Sequence, residues 1–300
     1  MPDTLHEDIA TAVRSTALLA DVTIGMWSGE RSDRRLMDEV KVNNNATGDT
    51  GRVVKNLLAG ADAPLKDVKA AFTAVRTAHY ALTLPWVSDP HAVRQSGARL
   101  LPTKLFDQYM QDIGRRKHDA SAALNVFIDR YPALVQTASH NLGTMVHLSE
   151  YPPPEVVRGA FKIVIDIEPI PDATSFKGLP DAVLERLGAN LEKRQHRMIE
   201  TATTAMWGTV RDRVTHLAGR LADPEAVFKS TTLEAARNLG TLVPGWNLVA
   251  DARADEIVHD IARMLPSDIT EKTLRGNPTV RKDTSDKAQA IVDKLASWGL

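Results

Sequence analysis

The sequence predicts an α+β fold that is mainly α-helical, with several helices and a small antiparallel or mixed sheet. Apolar residues recur at helical spacing through most of the chain, and one such pattern, from Pro180, continues for about forty residues. Only residues 21–27 and 161–171 alternate apolar and polar side chains as half-buried strands do. Two strands are too few for repeated parallel crossover units, so the sheet is expected to be antiparallel or mixed.

The N-terminal hundred residues predict short elements separated by turns. In order, these are a helix over 5–20, the strand over 21–27, a helix beginning near Arg31, a loop over 43–51, and helices over 51–59 and 64–84. The loop over 43–51 is rich in Asn, Gly and Asp, which favour turns. Residues 85–102 contain three prolines and predict a long structured loop or a small hairpin. A loop of that length suggests a functional role.

The rest of the chain predicts long helices around one strand. A helix begins at Pro102 and continues to Arg130, and another helical stretch precedes the triple proline at 152–154. The strand over 161–171 and the long helix from Pro180 follow. Shorter helices are predicted over 225–242, 252–265 and 284–298. We divide the chain into regions 1–150 and 151–300, which are also compatible with one integrated domain.

Composition excludes several classes of protein. The chain has 37 basic and 38 acidic side chains, a formal net charge of -1, so no overall field attracts it to DNA or to anionic lipid. A polyanion site must therefore be a local patch. With no cysteine, the chain has no disulfide framework, no thiol nucleophile and no cysteine-ligated zinc.

The N-terminus indicates a cytoplasmic protein, which would be a protein of a bacterial host cell. Asp3, Glu7 and Asp8 stand where a signal peptide needs positive charge followed by an apolar run. No apolar run approaches the roughly 18–20 residues of a membrane span. We therefore expect no membrane partner.

The common catalytic motifs are absent. Residues 47–55, TGDTGRVVK, contain two glycines but not the Gly-Lys-Ser or Gly-Lys-Thr of a phosphate-binding loop. Neither Gly-x-Ser-x-Gly nor His-Glu-x-x-His occurs, and the nine histidines are scattered. We therefore assign no catalytic residue, cofactor or metal.

One pair of carboxylates leaves an enzymatic alternative open. Asp166 and Glu168 lie two residues apart on one face of the predicted strand, with Lys162 on the same face. Paired carboxylates of this kind can hold magnesium for phosphoryl chemistry, so a metal-dependent nuclease is a possible interpretation. Alternating polar residues are also typical of the solvent side of an antiparallel strand, which is the interpretation we favour.

Basic residues with aromatic neighbours are the remaining signal. Such clusters bind single-stranded nucleic acid through base stacking and phosphate contacts. The ordinary alternative is that tryptophan and tyrosine anchor cores while arginine clusters solvate helix faces. The predicted nucleic-acid-binding residues are Trp27, Arg34, Arg35, Trp86, Arg94, Arg99, Tyr109, Arg115, Arg116 and Lys117.

Several of these residues belong to a pattern that resembles an uncharacterised protein family of tailed phages and prophages. The pattern comprises Gly25-Met26-Trp27-Ser28-Gly29, Leu84-Pro85-Trp86, Gly97-x-Arg99-Leu100-Leu101-Pro102, Tyr109, then Phe161, Ile163, Ile165, Pro169, Pro171, Phe176 and Trp207. The resemblance extends from about residue 20 to residue 250. It implies a place among DNA-metabolism genes, in some relatives near a ring ATPase, and it supplies no catalytic residue.

Together these observations predict a phage or prophage protein that binds nucleic acid. Its expected ligand is single-stranded DNA, and it is expected to act as a homo-oligomer in DNA metabolism. The alternative is a non-enzymatic assembly or adaptor protein that partners a ring ATPase through the helix over 180–221. The second alternative is the metal-dependent nuclease.

Overall fold

The structure is a computed structural model that describes residues 3–48, 51–88, 97–171, 180–223, 226 and 229–300. It is 69% helical with a small antiparallel sheet, which confirms the predicted α+β, mainly helical fold. The helices are α1 (Asp3–Thr16), α2 (Arg34–Asn43), α3 (Ala63–Leu82), α4 (Phe106–Leu142), α5 (Pro154–Ala160), α6 (Asp181–Ala222), α7 (Ser230–Arg237), α8 (Leu239–Trp246), α9 (Arg253–Met264), α10 (Glu271–Gly276) and α11 (Pro278–Ser297). The strands are β1 (Ala17–Gly25), β2 (Glu30–Ser32), β3 (Val54–Asn56), β4 (Leu84–Pro85), β5 (Arg99–Pro102) and β6 (Lys162–Pro169).

The chain forms two compact units, and each unit is built from separated stretches of sequence. Unit 1 comprises Met1–Asp21, Tyr80–Gln108 and Asp166–Leu300, and unit 2 comprises Val22–His79 and Tyr109–Ile165. The regions 1–150 and 151–300 of the sequence analysis follow the chain, whereas these units do not. Residues distant in sequence therefore belong to the same unit.

The main sheet has four strands in the order β4-β5-β1-β6. In the antiparallel pair of β1 and β5, Ala17 lies opposite Pro102 and Ala20 lies opposite Arg99. This pairing explains why the predicted helix over 5–20 is wrong at its C-terminal end. The apolar run 17–20 fits a helix by its spacing, but its backbone is hydrogen-bonded in the sheet, and so α1 ends at Thr16.

The hairpin interpretation of residues 85–102 is supported by β4 and β5. These strands pair antiparallel, with Leu84 opposite Leu100. The connecting residues 89–96 lie outside the described residues. The predicted helix over 51–59 is wrong, because β3 pairs with β2 there, with Lys55 opposite Arg31.

Among the helix boundaries that differ from the prediction, the end of α4 shows packing outweighing a local signal, and the start of α11 shows the effect of a side-chain cap. The helix predicted to end at Arg130 continues in α4 to Leu142, although Pro132 lies inside it. Proline removes one helix hydrogen bond, but the buried stripe of α4 continues past it through Ala138 and Leu142. The helix predicted from residue 284 begins at Pro278, where the side chain of Asn277 accepts hydrogen bonds from two helix N–H groups.

The core of unit 1 lies along α6, whose predicted length of about forty residues is confirmed by the 42 residues observed. α6 packs most extensively against α11. The buried apolar side chains on the two helices include Met206, Val210, Val214, Leu217, Ala288, Ile291 and Leu295. No helix in the described part of the chain is long and apolar enough to cross a membrane.

The core of unit 2 is an aromatic and aliphatic cluster between α3 and α4. The buried members are Leu58, Leu65, Val68, Phe72, Ala120, Leu124, Phe127, Ile128, Tyr131, Ala138, Val157 and Phe161. Their spacing on α4 is that of one helix face, so the face of α4 carries the core of the unit.

Two glycines of α8 give a matched test of packing in unit 1. A Cβ added at Gly245 would lie 2.6–2.9 Å from side-chain carbons of Leu105, which is itself 3% exposed. We expect Gly245→Ala to lower the free energy of unfolding by about 1–3 kcal/mol, because the buried leucine must move. Gly240 has no atom within 4 Å of such a Cβ. The control Gly240→Ala should be neutral or stabilising by up to about 1 kcal/mol, as an alanine favours a helix. Urea unfolding of both variants checks this, and equal effects would contradict it.

Candidate nucleic-acid interface

Trp27 is held by an aromatic cluster and remains half-buried. Its ring meets that of Tyr131 at 5.7 Å between centroids, nearly edge-on at 84°, and lies 6.4 Å from that of Phe127. Such tilted and edge-on contacts are favourable geometries for aromatic rings. The ring is therefore fixed in orientation while part of it is accessible to solvent.

Arg115, Arg116 and Lys117 lie on the N-terminal half of α4, in unit 2. The Arg115 side chain is 67% exposed and pairs with Asp112 at 2.6 Å. Lys117 is exposed and forms no ion pair with any described residue. Arg116 is half-buried, and its Nε is buried without a hydrogen-bond partner among the described residues.

The geometry of α4 relates these cations to Trp27. Arg116 precedes Phe127 by eleven residues, which is about 16 Å along the helix and returns nearly to the same face. Lys117 precedes Tyr131 by fourteen residues, and the two side chains are about 40° apart around the helix axis. The Trp27 ring thus lies against the face that carries Arg116, and Lys117 lies at the border of that face.

Arg34 and Arg35 begin α2, a helix that buries none of its residues. Arg35 forms an exposed pair with Glu39, at 3.6 Å, while Arg34 is exposed without an ion pair to a described residue. The Asp33 side chain caps the helix by accepting a hydrogen bond from the Leu36 N–H at 3.1 Å. This N–H holds the pKa of Asp33 below its ordinary value.

A buried lysine fixes the start of α2, and the sequence analysis did not identify it. The Lys55 Nζ lies 2.6 Å from Glu150 Oε2 and 3.4 Å from Asp33 Oδ2, and it donates to the Met145 carbonyl at 2.8 Å. The side chain is 3% exposed. Burial lowers the pKa of Lys55, but the bonds to Glu150 and Asp33 outweigh burial, and the pKa is raised. The only sequence signal was a lysine in a short Val-Lys-Asn segment.

The Lys55 contacts also locate α2 along α4. Met145 and Glu150 follow the C-terminal end of α4 at Leu142. Lys117 lies 25 residues before Leu142, about 38 Å along the helix. Along α4, from its N-terminal to its C-terminal end, the cations at residues 115–117 therefore come first and Trp27 comes next. The start of α2 lies near the C-terminal end.

Two of the predicted residues have their side chains in the interior. The Arg99 side chain donates to Thr83 Oγ1 at 2.8 Å and to the Thr83 carbonyl at 3.0 Å, and it lies 4.7 Å above the Tyr80 ring. Arg99 is 9% exposed, and burial lowers its pKa. Tyr109 is 0% exposed, with its hydroxyl 3.0 Å from His79 Nδ1. Both side chains therefore pack in the interior, and neither lies on an exposed surface.

Trp86 and Arg94 belong to unit 1. Trp86 follows β4 and is half-buried, and Arg94 lies outside the described residues. Unit 1 therefore holds three of the ten predicted residues, counting Arg99, and unit 2 holds the other seven.

The two units also differ in charge. Unit 2 contains 15 lysines and arginines against 12 acidic residues, a formal net charge of +3. Unit 1 contains 22 basic against 26 acidic residues, a formal net charge of -4. The near-neutral chain is thus a basic unit joined to an acidic one.

The carboxylates of the nuclease alternative lie on β6. Asp166 and Glu168 are exposed together with Lys162, whereas the alternating isoleucines are half-buried. This is the solvent-side pattern that the sequence analysis favoured. Among the described residues, no group of three or more His, Asp or Glu side chains is close enough to hold a metal ion.

Comparison with protein-family models, with curated proteins and with solved structures finds no match to this chain. The resemblance to the phage family therefore stays a prediction.

The Lys55 contacts make a testable contribution to the stability of unit 2. Lys55→Met would leave Glu150 and Asp33 without their cation, and we expect a loss of about 2–4 kcal/mol in the free energy of unfolding. Lys66 provides the control, because its pair with Asp62 is 72% exposed on the lysine side. Lys66→Met should change stability by less than about 1 kcal/mol. Chemical unfolding monitored by circular dichroism measures both variants, and a Lys55 effect as small as that of Lys66 would contradict the structural role.

Proposed function

We propose that this protein binds single-stranded nucleic acid through unit 2. The observation that carries the proposal is the separation of charge, since the +3 unit holds six of the residues predicted from sequence to bind nucleic acid, not counting the buried Tyr109. Positive charge on one unit attracts a polyanion even when the whole chain is neutral. The resemblance to a phage family near DNA-metabolism genes favours DNA as the ligand.

The arrangement along α4 supports an extended ligand. About 38 Å of helix separate Lys117 from Leu142, beyond which the contacts of Lys55 hold the start of α2. A single-stranded nucleic acid that runs along α4 would meet Lys117 first, then Trp27 and then Arg34. Binding sites of roughly 4–16 nucleotides per domain are usual for single-stranded nucleic acid.

The exposed cations of α2 and of the N-terminal half of α4 are available to phosphates. Arg34 and Lys117 form no ion pair with a described residue. Arg35 and Arg115 have carboxylate partners, but both pairs are exposed, and exposed pairs are worth only about 0–1 kcal/mol. A phosphate can therefore compete with these carboxylates at small cost.

Trp27 supplies the stacking surface. Its contacts with Phe127 and Tyr131 fix the ring before any ligand arrives, so little side-chain entropy is lost when a base stacks on the accessible part. Base stacking on an aromatic ring is worth about 1–3 kcal/mol and tolerates any sequence.

Fluorescence anisotropy with labelled single-stranded and duplex oligonucleotides at several salt concentrations tests this proposal. We expect the wild-type protein to prefer the single strand and to bind more weakly as salt rises, because bound cations release counterions. The double variant Arg34→Ala/Lys117→Ala removes two phosphate contacts. Its slope of log affinity against log salt should be smaller in magnitude by about 1.4.

The matched control removes two cations from unit 1. Lys193 and Arg197 are exposed on α6, and Lys193→Ala/Arg197→Ala changes the net charge by the same amount. This variant should keep the wild-type affinity and slope. Absence of wild-type binding at low salt would end the proposal, and an equal loss in both double variants would show that only overall charge matters.

A second function is favoured by the N-terminal part of α6. Over residues 181–194 this helix buries only Gly188, and Leu187 is 39% exposed. A helical segment that buries so little within its own unit can pack against a partner, and the resemblance to the phage family suggests a ring ATPase as that partner. We expect co-precipitation with such an ATPase after nuclease treatment, and weaker co-precipitation with Leu187→Glu. Co-precipitation that is lost after nuclease treatment, or that Leu187→Glu does not weaken, would count against the adaptor function.

A further inference from the structure

We propose that the outer edge of β6 pairs antiparallel with β6 of a second copy of this chain. β6 is the last strand in the order β4-β5-β1-β6, and no described strand pairs with its outer side. A free strand edge presents unpaired N–H and C=O groups that another strand can bind.

The two edges of the sheet are protected to different degrees. β4 at one edge has two residues, and the second is Pro85, so it offers almost no ladder to a new strand. β6 at the other edge has eight residues, and its only proline is the last one, Pro169. Of the two edges that the described strands form, the long one is therefore the edge that can accept a partner.

The side chains of β6 leave both faces of the strand accessible. Lys162, Val164, Asp166 and Glu168 are exposed, and Val164 is 43% exposed. The isoleucines between them are half-buried rather than buried. A second strand beside this one would cover apolar surface on both faces, which favours association.

The sequence of β6 is complementary to itself when it is reversed. With a twofold axis at Ile165, Lys162 lies opposite Glu168 of the second copy, and Ile163 lies opposite Ile167. Opposite charges across an antiparallel pair are stabilising, and so are paired β-branched side chains. Because the register is symmetric, each of these two contacts occurs twice.

One other register keeps the same complementarity. With the axis at Val164, Lys162 lies opposite Asp166, and the two exposed Val164 side chains meet. A register shifted by one residue is disfavoured, because it would put exposed residues opposite half-buried ones. An axis at Asp166 is also disfavoured, because it would place two carboxylates opposite each other. The second copy thus has two favourable registers, and both pair Lys162 with a carboxylate.

One pair of strands buries less area than a standard stable interface, so we expect a weak dimer that forms as protein concentration rises. Nucleic-acid binding is not needed for this pairing. Failure of one proposal therefore leaves the other intact.

Single-cysteine variants test the pairing directly, because the chain contains no cysteine of its own. Val164→Cys and Ile165→Cys place a thiol on each possible axis. We expect one of them to form a disulfide-linked dimer under mild oxidation much faster than Val42→Cys. Val42 is 75% exposed and lies on α2, so it measures linkage by random collision. Sedimentation velocity of the wild-type protein over a concentration series gives the dimerisation itself.

Charge exchange provides the second readout. Lys162→Glu should weaken the dimer at least several-fold, because it places like charges opposite each other. Adding Glu168→Lys should restore the dimer if the axis is at Ile165, and adding Asp166→Lys should restore it if the axis is at Val164. All three residues are exposed, so the fold is expected to tolerate these changes.

Two results would overturn the proposal. One is a protein that stays monomeric at every concentration while both axial cysteines cross-link no faster than Val42→Cys, which would leave the edge to the strand of a different protein. The other is a dimer that neither Lys162→Glu nor the exchanges affect, which would place the interface elsewhere on the chain.

Discussion

Unit 2 depends on the aromatic contacts around Phe127 on α4. The Phe127 ring lies 6.4 Å from Trp27, 5.9 Å from Tyr131 and 6.2 Å from Phe161, while Phe72 of α3 lies 5.3 Å from Phe161. These rings join two helices to the residues that border β1 and β6. Apart from the tilted Trp27–Phe127 pair, these contacts are edge-on, and such contacts are worth about 0.5–1.5 kcal/mol beyond the area that they bury and fix ring orientation. The same interaction therefore builds the core and orients the tryptophan proposed to stack on a base.

The position of Arg34 and Arg35, at the start of α2, depends on a second constraint, which is electrostatic. Lys55 is buried, and leaving a buried ammonium without partners is costly. Its three acceptors come from the cap of α2 and from the segment after α4, so neutralising this one charge brings those segments together. Arg34 and Arg35 of α2 are exposed, yet their position is set by an ion pair in the interior. The surface proposed to bind a polyanion would thus depend on a buried cation, Lys55, that is not itself among the proposed contacts.

The sequence predicts the elements whose apolar residues recur at a regular spacing, and it misses the strands whose formation depends on pairing with distant residues. The length of α6 and the exposed face of β6 follow from spacing alone, and both are confirmed. β1 begins earlier than predicted because residues 17–20 pair with β5, and β3 replaces a predicted helix because it pairs with β2. Each partner lies more than twenty residues away, so local propensity contains no trace of it. Arg99 illustrates the same limit, because a basic segment does not reveal which guanidinium folds back onto Thr83.

The charge of the chain shows why composition alone is a poor guide here. A net charge of -1 excludes a global field, but unit 2 at +3 and unit 1 at -4 are assembled from alternating stretches, so no contiguous half of the sequence displays the difference. Pairing through β6 would extend this argument. The proposed dimer would carry two copies of the basic unit, and a single-stranded nucleic acid that reached both would bind the second copy as an intramolecular step, at an effective concentration set by the spacing between them. On these two proposals a weak dimer would support tight binding to a long nucleic acid, while a nucleic acid that reached only one copy would gain nothing from the dimer.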